Sequence, residues 1–285
     1  MQQRDVSPDL PFPGCWTFFG GLAEEGESTD EALERELTEE LGCVPGRLEP
    51  ELLQWKWQSD WASTQNHFFP ICCRIETDDL VLSEGQAMEW FLMKELLDLP
   101  LTPAVYENFS MIVKFLIQFS PDLVDQLEDR LLELNGLIKK NDRVFYAREN
   151  PCGLSRQRIF LLKEIASLRN TPVFRVCMHT DDLCDIHEML MVHTTPTSIG
   201  PLKQNKTSLS YHIIEGILEI ELHDDHGRRL KKFVLSKNNL VTSHLSSLRL
   251  RANEYRSIRS TTPFAIFLEV ASGPFQDSDT QWLNN

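Results

Sequence analysis

Between Gly21 and Cys43 the chain reads GLAEEGESTDEALERELTEELGC, and nine of these 23 residues are acidic. Ser28, followed three residues later by Glu31, forms a capping box, so a helix is expected over Ser28–Leu41. At 100° per residue, Leu33, Leu37 and Leu41 make one apolar stripe that has to face a core. Glu36, Glu39 and Glu40 fall on an adjoining stripe, with Glu36 one turn from Glu40. Most acidic runs are solvated helix faces, but three converging carboxylates repel one another unless a cation sits among them. A hard divalent ion with oxygen ligands, Mg²⁺ or Mn²⁺, is the natural one. Gly20 and Gly21 let the backbone come close to that ion, and Glu27 and Arg35 are placed to brace loop and helix by ion pairing.

The rest of the 285 residues reads as two domains. Strand-like stretches at Leu52–Trp57, His67–Ile75 and Met88–Met93 follow the acidic helix, then a helix over Pro103–Phe119. An amphipathic helix from Ser120 to about Asn135-Gly136 is the expected connector. The boundaries that follow are 1–118, a connecting helix over 119–140, and 141–285. From about Val144 short strands dominate (VFRVCMH, IHEMLMVHT, LSYHIIEGILEIELHDDHG, LKKFVLS, SSLRLRA, PFAIFLEV), apart from the helical RQRIFLLKEIASL. That spacing points to a β-sandwich or barrel.

Charge divides the chain at the same place. The first 118 residues hold 7 basic and 22 acidic side chains, and so the whole net charge of −15, while the remainder balances at 21 each. So negative a field repels a nucleic-acid backbone but admits a small phosphorylated ligand that arrives with divalent cations. No apolar run approaches a membrane span and the N-terminus has no signal-peptide core. Seven cysteines without framework spacing read as reduced thiols. A cytoplasmic protein, without membrane or nucleic-acid partners and with a homodimer as one permitted assembly, is the expectation.

Gly21, Glu27 and the run Arg35-Glu36-Leu37-Thr38-Glu39-Glu40-Leu41-Gly42-Cys43 resemble the Nudix box, G-x5-E-x7-R-E-U-x-E-E-x-G-U, at every specified position. WTFFGG upstream and LSEGQAMEWF downstream are similar to the family's flanking segments. The resemblance implies an α/β (α+β) fold with a mixed sheet and helices over roughly Gln3–Gln118, and hydrolysis of a nucleoside diphosphate linked to another moiety. It further implies Mg²⁺ or Mn²⁺ held by Glu36, Glu39, Glu40 and the Gly20 carbonyl, with general-base duty shared among the three glutamates, and Glu84 either completing the metal shell or serving as base. Gly21, Glu27, Arg35 and Gly42 would support the box. Trp16, Phe18, His67 and Phe69 are candidates to stack a base. The family begins with an apolar strand, and this chain starts at about its end, so either sequence upstream of Met1 or a sheet short of one strand is expected.

The second half resembles WbuC-type cupin-fold metalloproteins through RVCMHTDDLCDIHEMLM, YHIIEGILEIELHDDHG and AIFLEVASGPF. This implies an all-β, cupin-like barrel, and it weakly favours nucleotide sugars over nucleoside triphosphates or ADP-ribose-like compounds as substrates. The positions matching the cupin's metal ligands are Leu202, Gln204, Leu209 and Arg256, so no metal is expected there. His179 and His187 are the candidates for a relocated site, and Arg256 with Lys203 for an anion. A non-catalytic nucleotide sensor, with the cupin-like half as a docking module, is the alternative to the hydrolase.

Overall fold

The computed structural model describes residues 1–58, 63–237 and 243–283. The chain folds as two compact units, Met1–Leu127 and Glu128–Asn285.

In the first unit β1 (Gln2–Gln3) lies between β2 (Trp16–Thr17) and, later in the chain, Ala87–Met88, antiparallel to both. Helix α1 (Thr29–Leu41) starts where its sequence dictates. The Ser28 hydroxyl accepts from the Glu31 N–H, Glu31 returns the bond to the Ser28 N–H, and Gly42 ends the helix at φ 75°. Leu37 and Leu41 are buried with Val105, Phe109 and Val113, whereas Leu33 is half-buried. Truncating either buried leucine to alanine would cost about 2–5 kcal/mol.

β3 (Gly46–Leu48) pairs antiparallel with β6 (Ile71–Cys73), and β4 (Leu53–Gln58) with β5 (Ser63–Phe68). The stretch expected as one strand over His67–Ile75 is broken at Pro70, which has no N–H to give a ladder. β7 (Ala87–Met88) is shorter than the expected Met88–Met93. Among the described residues of this unit the strands form three small antiparallel sheets, with one parallel bridge from Trp16 to Leu101. The helix expected over Pro103–Phe119 is two pieces, α2 (Pro103–Tyr106) and α3 (Phe109–Leu116). At the break, the Asn108 side chain donates to the Ala104 carbonyl at 2.9 Å, a local bond that competes with helix continuation.

Helix α4 (Leu123–Leu134) stops before the end of the expected connector. Residues 137–141 are strand β8, which hairpins onto β9 (Val144–Ala147). After α5 (Arg156–Leu168), capped by Ser155, ten strands follow: β10 (Val173–Cys177), β11 (Ile186–His193), β12 (Ser198–Gln204), β13 (Leu209–Glu215), β14 (Ile217–His223), β15 (Arg229–Ser236), β16 (Ser247–Leu250), β17 (Tyr255–Ser260), β18 (Ala265–Ser272) and β19 (Thr280–Trp282). They form a seven-stranded sheet, β16-β13-β18-β11-β10-β9-β8, and a five-stranded one, β15-β14-β17-β12-β19. Met189, Met191, Tyr211, Ile213 and Phe267 from the first sheet meet Leu218, Ile220, Leu235 and Ile258 from the second in one buried core. The N-terminal unit is thus mixed α/β and the C-terminal unit a two-sheet, largely β structure carrying α5. Among the described residues no helix is long and apolar enough to cross a membrane.

Candidate active site

Helix α1 presents its carboxylates in three different environments. Arg35 is the organising cation. Its Nε and Nη2 grip the two oxygens of Glu27 at 3.0 Å each, and Nη2 also donates to the Leu22 carbonyl at 2.9 Å. The Glu27 carboxyl is held below its ordinary value, first by that bond and then by the Glu24 N–H. Nη1 reaches Glu36 at 2.9 Å and Glu39 at 3.5 Å. Glu39 is otherwise exposed.

Glu40 is buried. Gln2 Nε2 donates to its Oε1 at 2.7 Å and the Gly20 N–H to its Oε2 at 3.0 Å. Burial pushes its carboxyl upward, the two hydrogen bonds pull the other way, and the charges of Glu84 and Glu36 add to the rise. Glu84 reaches this neighbourhood because the Ser83 N–H donates to the Glu40 carbonyl at 2.8 Å. Gly20, expected to offer its carbonyl, meets Glu40 through its N–H. At Gly21 a Cβ would lie 2.3 Å from the Glu36 carboxyl carbon, so a side chain there would push the Glu36 carboxylate out of its present position.

In donor chemistry these residues fit a hard divalent cation: oxygen ligands, crowded negative charge, and a loop with room left by a missing side chain. The carboxylates are not gathered, however. Among the described residues no three His, Cys, Asp or Glu side chains are arranged to hold a metal. Arg35 and Gln2 engage the carboxylates instead.

A cleft of about 910 Å³ adjoins the Gly20–Gly21 loop. Phe18, His67 and Phe69 line it, whereas Trp16 does not: it is buried with its ring 4.7 Å from Phe91, as core. His67 Nδ1 lies 2.6 Å from Glu51, whose carboxyl this bond holds down. Trp55 and Trp57, which the sequence reading passed over, also line the cleft. The W-x-W alternation in LQWKWQ, which puts both on one face of a strand, was the available signal.

In the second unit, Leu202 and Leu209 are buried in the core, and Arg256 Nε donates to the Tyr211 hydroxyl at 2.8 Å. The Gln204 Oε1 is buried without a hydrogen-bond partner. Lys203 lies over the Tyr255 ring, 4.4 Å from its centroid. His179 and His187 stack at 4.2 Å, and the Nδ1 of His179 bonds the Glu188 carbonyl. With no lone pair on either leucine and a fixed charge on Arg256, the protein should retain no stoichiometric Fe²⁺, Ni²⁺ or Zn²⁺ in this unit. Elemental analysis of the chelated and re-exposed full chain checks this. One bound metal that disappears with His187→Ala would place a site there after all.

Residues 1–112 match the family model described as the NUDIX domain. None of the curated proteins matches the chain. Among solved structures, the chain is similar to the capsular polysaccharide assembling protein CapF from Staphylococcus aureus (9% identity, TM-score 0.33, 40% of this chain and 32% of that one). It is also similar to oxalate decarboxylase from Bacillus subtilis (20%, 0.28, 35% and 24%) and to a cupin superfamily protein from Desulfitobacterium hafniense (15%, 0.28, 36% and 78%). The chain thus spans about a third of the CapF structure. The box residues of α1 and the family match fall in the same stretch: residues 1–112 are similar to the NUDIX domain.

Proposed function

We propose that the first unit is a metal-dependent pyrophosphohydrolase of small phosphorylated compounds in the cytoplasm. The observation that carries this reading is the position of the Gly20–Gly21 loop. Through its N–H it touches the buried, charge-crowded Glu40, and it also forms part of the wall of the cleft. A diphosphate lying along that loop has its organic half in the cleft and its phosphates beside the carboxylates.

Glu36, Glu39 and Glu40, with the Gly20 carbonyl, would hold Mg²⁺ or Mn²⁺, which neutralises phosphate oxygens and lowers the pKa of an attacking water. Arg35 keeps Glu36 oriented and, through Glu27, fixes the loop to the helix. Glu36, Glu39 or Glu84 would take the water's proton as its oxygen adds to phosphorus. The bridging oxygen then leaves with the second phosphate. In this reading the second unit is a metal-free docking or structural module.

The alternative, a nucleotide sensor, has one observation in its favour: Arg35 already occupies Glu36 and Glu39. Phosphomonoester products assayed over a panel of nucleoside diphosphate derivatives with Mg²⁺ or Mn²⁺ separate the two. Metal-dependent turnover of any panel member supports the hydrolase. Binding without turnover across the panel supports the sensor.

A further inference from the structure

A buried guanidinium in the second unit has no counter-ion against it. Arg256 on β17 is 4% exposed, and among the described residues it forms no ion pair. Its one hydrogen bond runs from Nε to the Tyr211 hydroxyl at 2.8 Å. Nη1 and Nη2 make none with the described residues, yet neither is fully enclosed, so solvent-sized space touches that end of the fork. Glu269, paired with Tyr211 in the β13–β18 register, adds its charge to the burial that raises the tyrosine's pKa. The tyrosine hydroxyl interacts with both groups, so the carboxylate reaches the guanidinium only through it. A charge taken out of water is costly unless something compensates it directly.

The neighbouring strand supplies the rest of the cluster. Leu202 on β12 is the register partner of Arg256. Strand alternation puts Gln204 on the same face as Leu202 and turns Lys203 to the other, where it lies over the Tyr255 ring. Lys203, expected to join Arg256 in holding an anion, therefore does not, and the guanidinium is the single cation of the cluster. The Gln204 Oε1 is buried and accepts from no donor among the described residues. Leu202 and Leu209 are buried beside these groups as apolar wall.

We infer that this cluster binds a small monocarboxylate bearing a hydroxyl group, its carboxylate on Nη1 and Nη2 of Arg256 and its hydroxyl donating to Gln204 Oε1. The planar fork of a guanidinium matches the two oxygens of a carboxylate. One negative charge cancels the one positive charge present. A phosphate ion would bring a second charge to a lining that already holds the Glu269 carboxylate. A ligand with many hydroxyls would leave most of them against the leucines without partners, at a cost for each. The hydroxyl gives Gln204 the donor that its buried oxygen lacks. The site binds and makes or breaks no bond, and it is independent of the hydrolase reading of the first unit.

The test is calorimetric titration of the full chain with lactate, against lactamide, propionate and inorganic phosphate at matched ionic strength. Lactate should bind saturably and at least tenfold more tightly than lactamide, which lacks the charge, or phosphate. Propionate, which lacks the hydroxyl, should bind more weakly than lactate. Gln204→Leu should bring lactate down to the affinity of propionate and leave propionate unchanged. Arg256→Met removes the charge while filling much of the same space, so it should abolish lactate binding and raise the Tm of the ligand-free chain. A Tm lowered by Arg256→Met would instead make the arginine a strut acting through Tyr211, and overturns the inference. So do the absence of saturable lactate binding, phosphate binding as tight as lactate's, and lactate binding that survives either substitution unchanged.

Discussion

Glu40→Gln lowers the metal-dependent turnover of a hydrolysed diphosphate by about two to three orders of magnitude and leaves the fold in place. That size is typical when a charged group facing the transition state is removed from a preorganised site. Glutamine keeps the volume, so α1 stays packed. Its carbonyl can still accept from Gln2 or Gly20, which now hold Glu40 at 2.7 and 3.0 Å. What it loses is the charge, and with it the cation ligand proposed above. Glu39 is exposed and meets Arg35 only at 3.5 Å, so Glu39→Gln disturbs the resting structure even less while removing another negative oxygen. Turnover is measured as initial rate against Mg²⁺ concentration for both variants, with circular dichroism as the folding control. Rates like the wild type's in both would remove this face of α1 from the chemistry. A drop in apparent metal affinity at unchanged saturated rate would assign the residue to metal binding alone.

The start of α1 was legible to the residue because its capping box is a local device, and Ser28 and Glu31 need nothing else in the chain. The helix over Arg156–Leu168 was legible for a similar reason, with Ser155 accepting from the Arg158 N–H. Strands that carry a strong alternation or a dense apolar run, such as β11 and β18, declared themselves. Those that were missed lack such a pattern for identifiable physical causes. β8 reads LIKKN, with only Leu137 buried, because it is an edge strand whose lysines keep its open side in water. β12 carries Gly200-Pro201 in its middle, a pair that normally argues against a strand. β17 holds Arg256 and Ser260 in the interior, so its inward face does not look apolar. At the site, the chemical character of Glu36, Glu39 and Glu40 was written in the box. The Gln2 partner of Glu40 was not. Gln2 is 38 residues from Glu40, and only the pairing of β1 with β2 and β7 brings it there. Whether Trp16 stacks a ligand or fills the core was left open, because an aromatic next to the box looks the same in sequence whether it faces the cleft or, as here, packs on Phe91.

The second large effect is acid sensitivity of the β unit, and it comes from one histidine. His193 ends β11 with its side chain wholly buried, edge-on to Phe267 at 5.2 Å. Neither ring nitrogen has a hydrogen-bond partner. Burial alone holds its pKa down to about 4, against an ordinary value near 6.5. The unfolded chain therefore takes up a proton that the folded one refuses as pH falls from about 6.5 towards 4. The neutral form's contribution is intact above pH 6.5, is lost progressively across that window, and is flat below it. A difference of this size corresponds to roughly 2–3 kcal/mol between pH 7 and pH 4.5. For a unit of this length that is about 5–10 °C in Tm. His193→Leu removes the proton site and fills the same apolar space, so its unfolding should move less with acid than the wild type's by that amount. Carboxylate protonation acts on both proteins alike and cancels in the comparison. Scanning calorimetry at pH 7 and pH 4.5 on the two full chains gives the difference directly. Equal acid shifts in both would mean that His193 does find a proton partner in the folded chain, and that the interior at this end of β11 is more polar than its neighbours Phe267 and Ala265 imply.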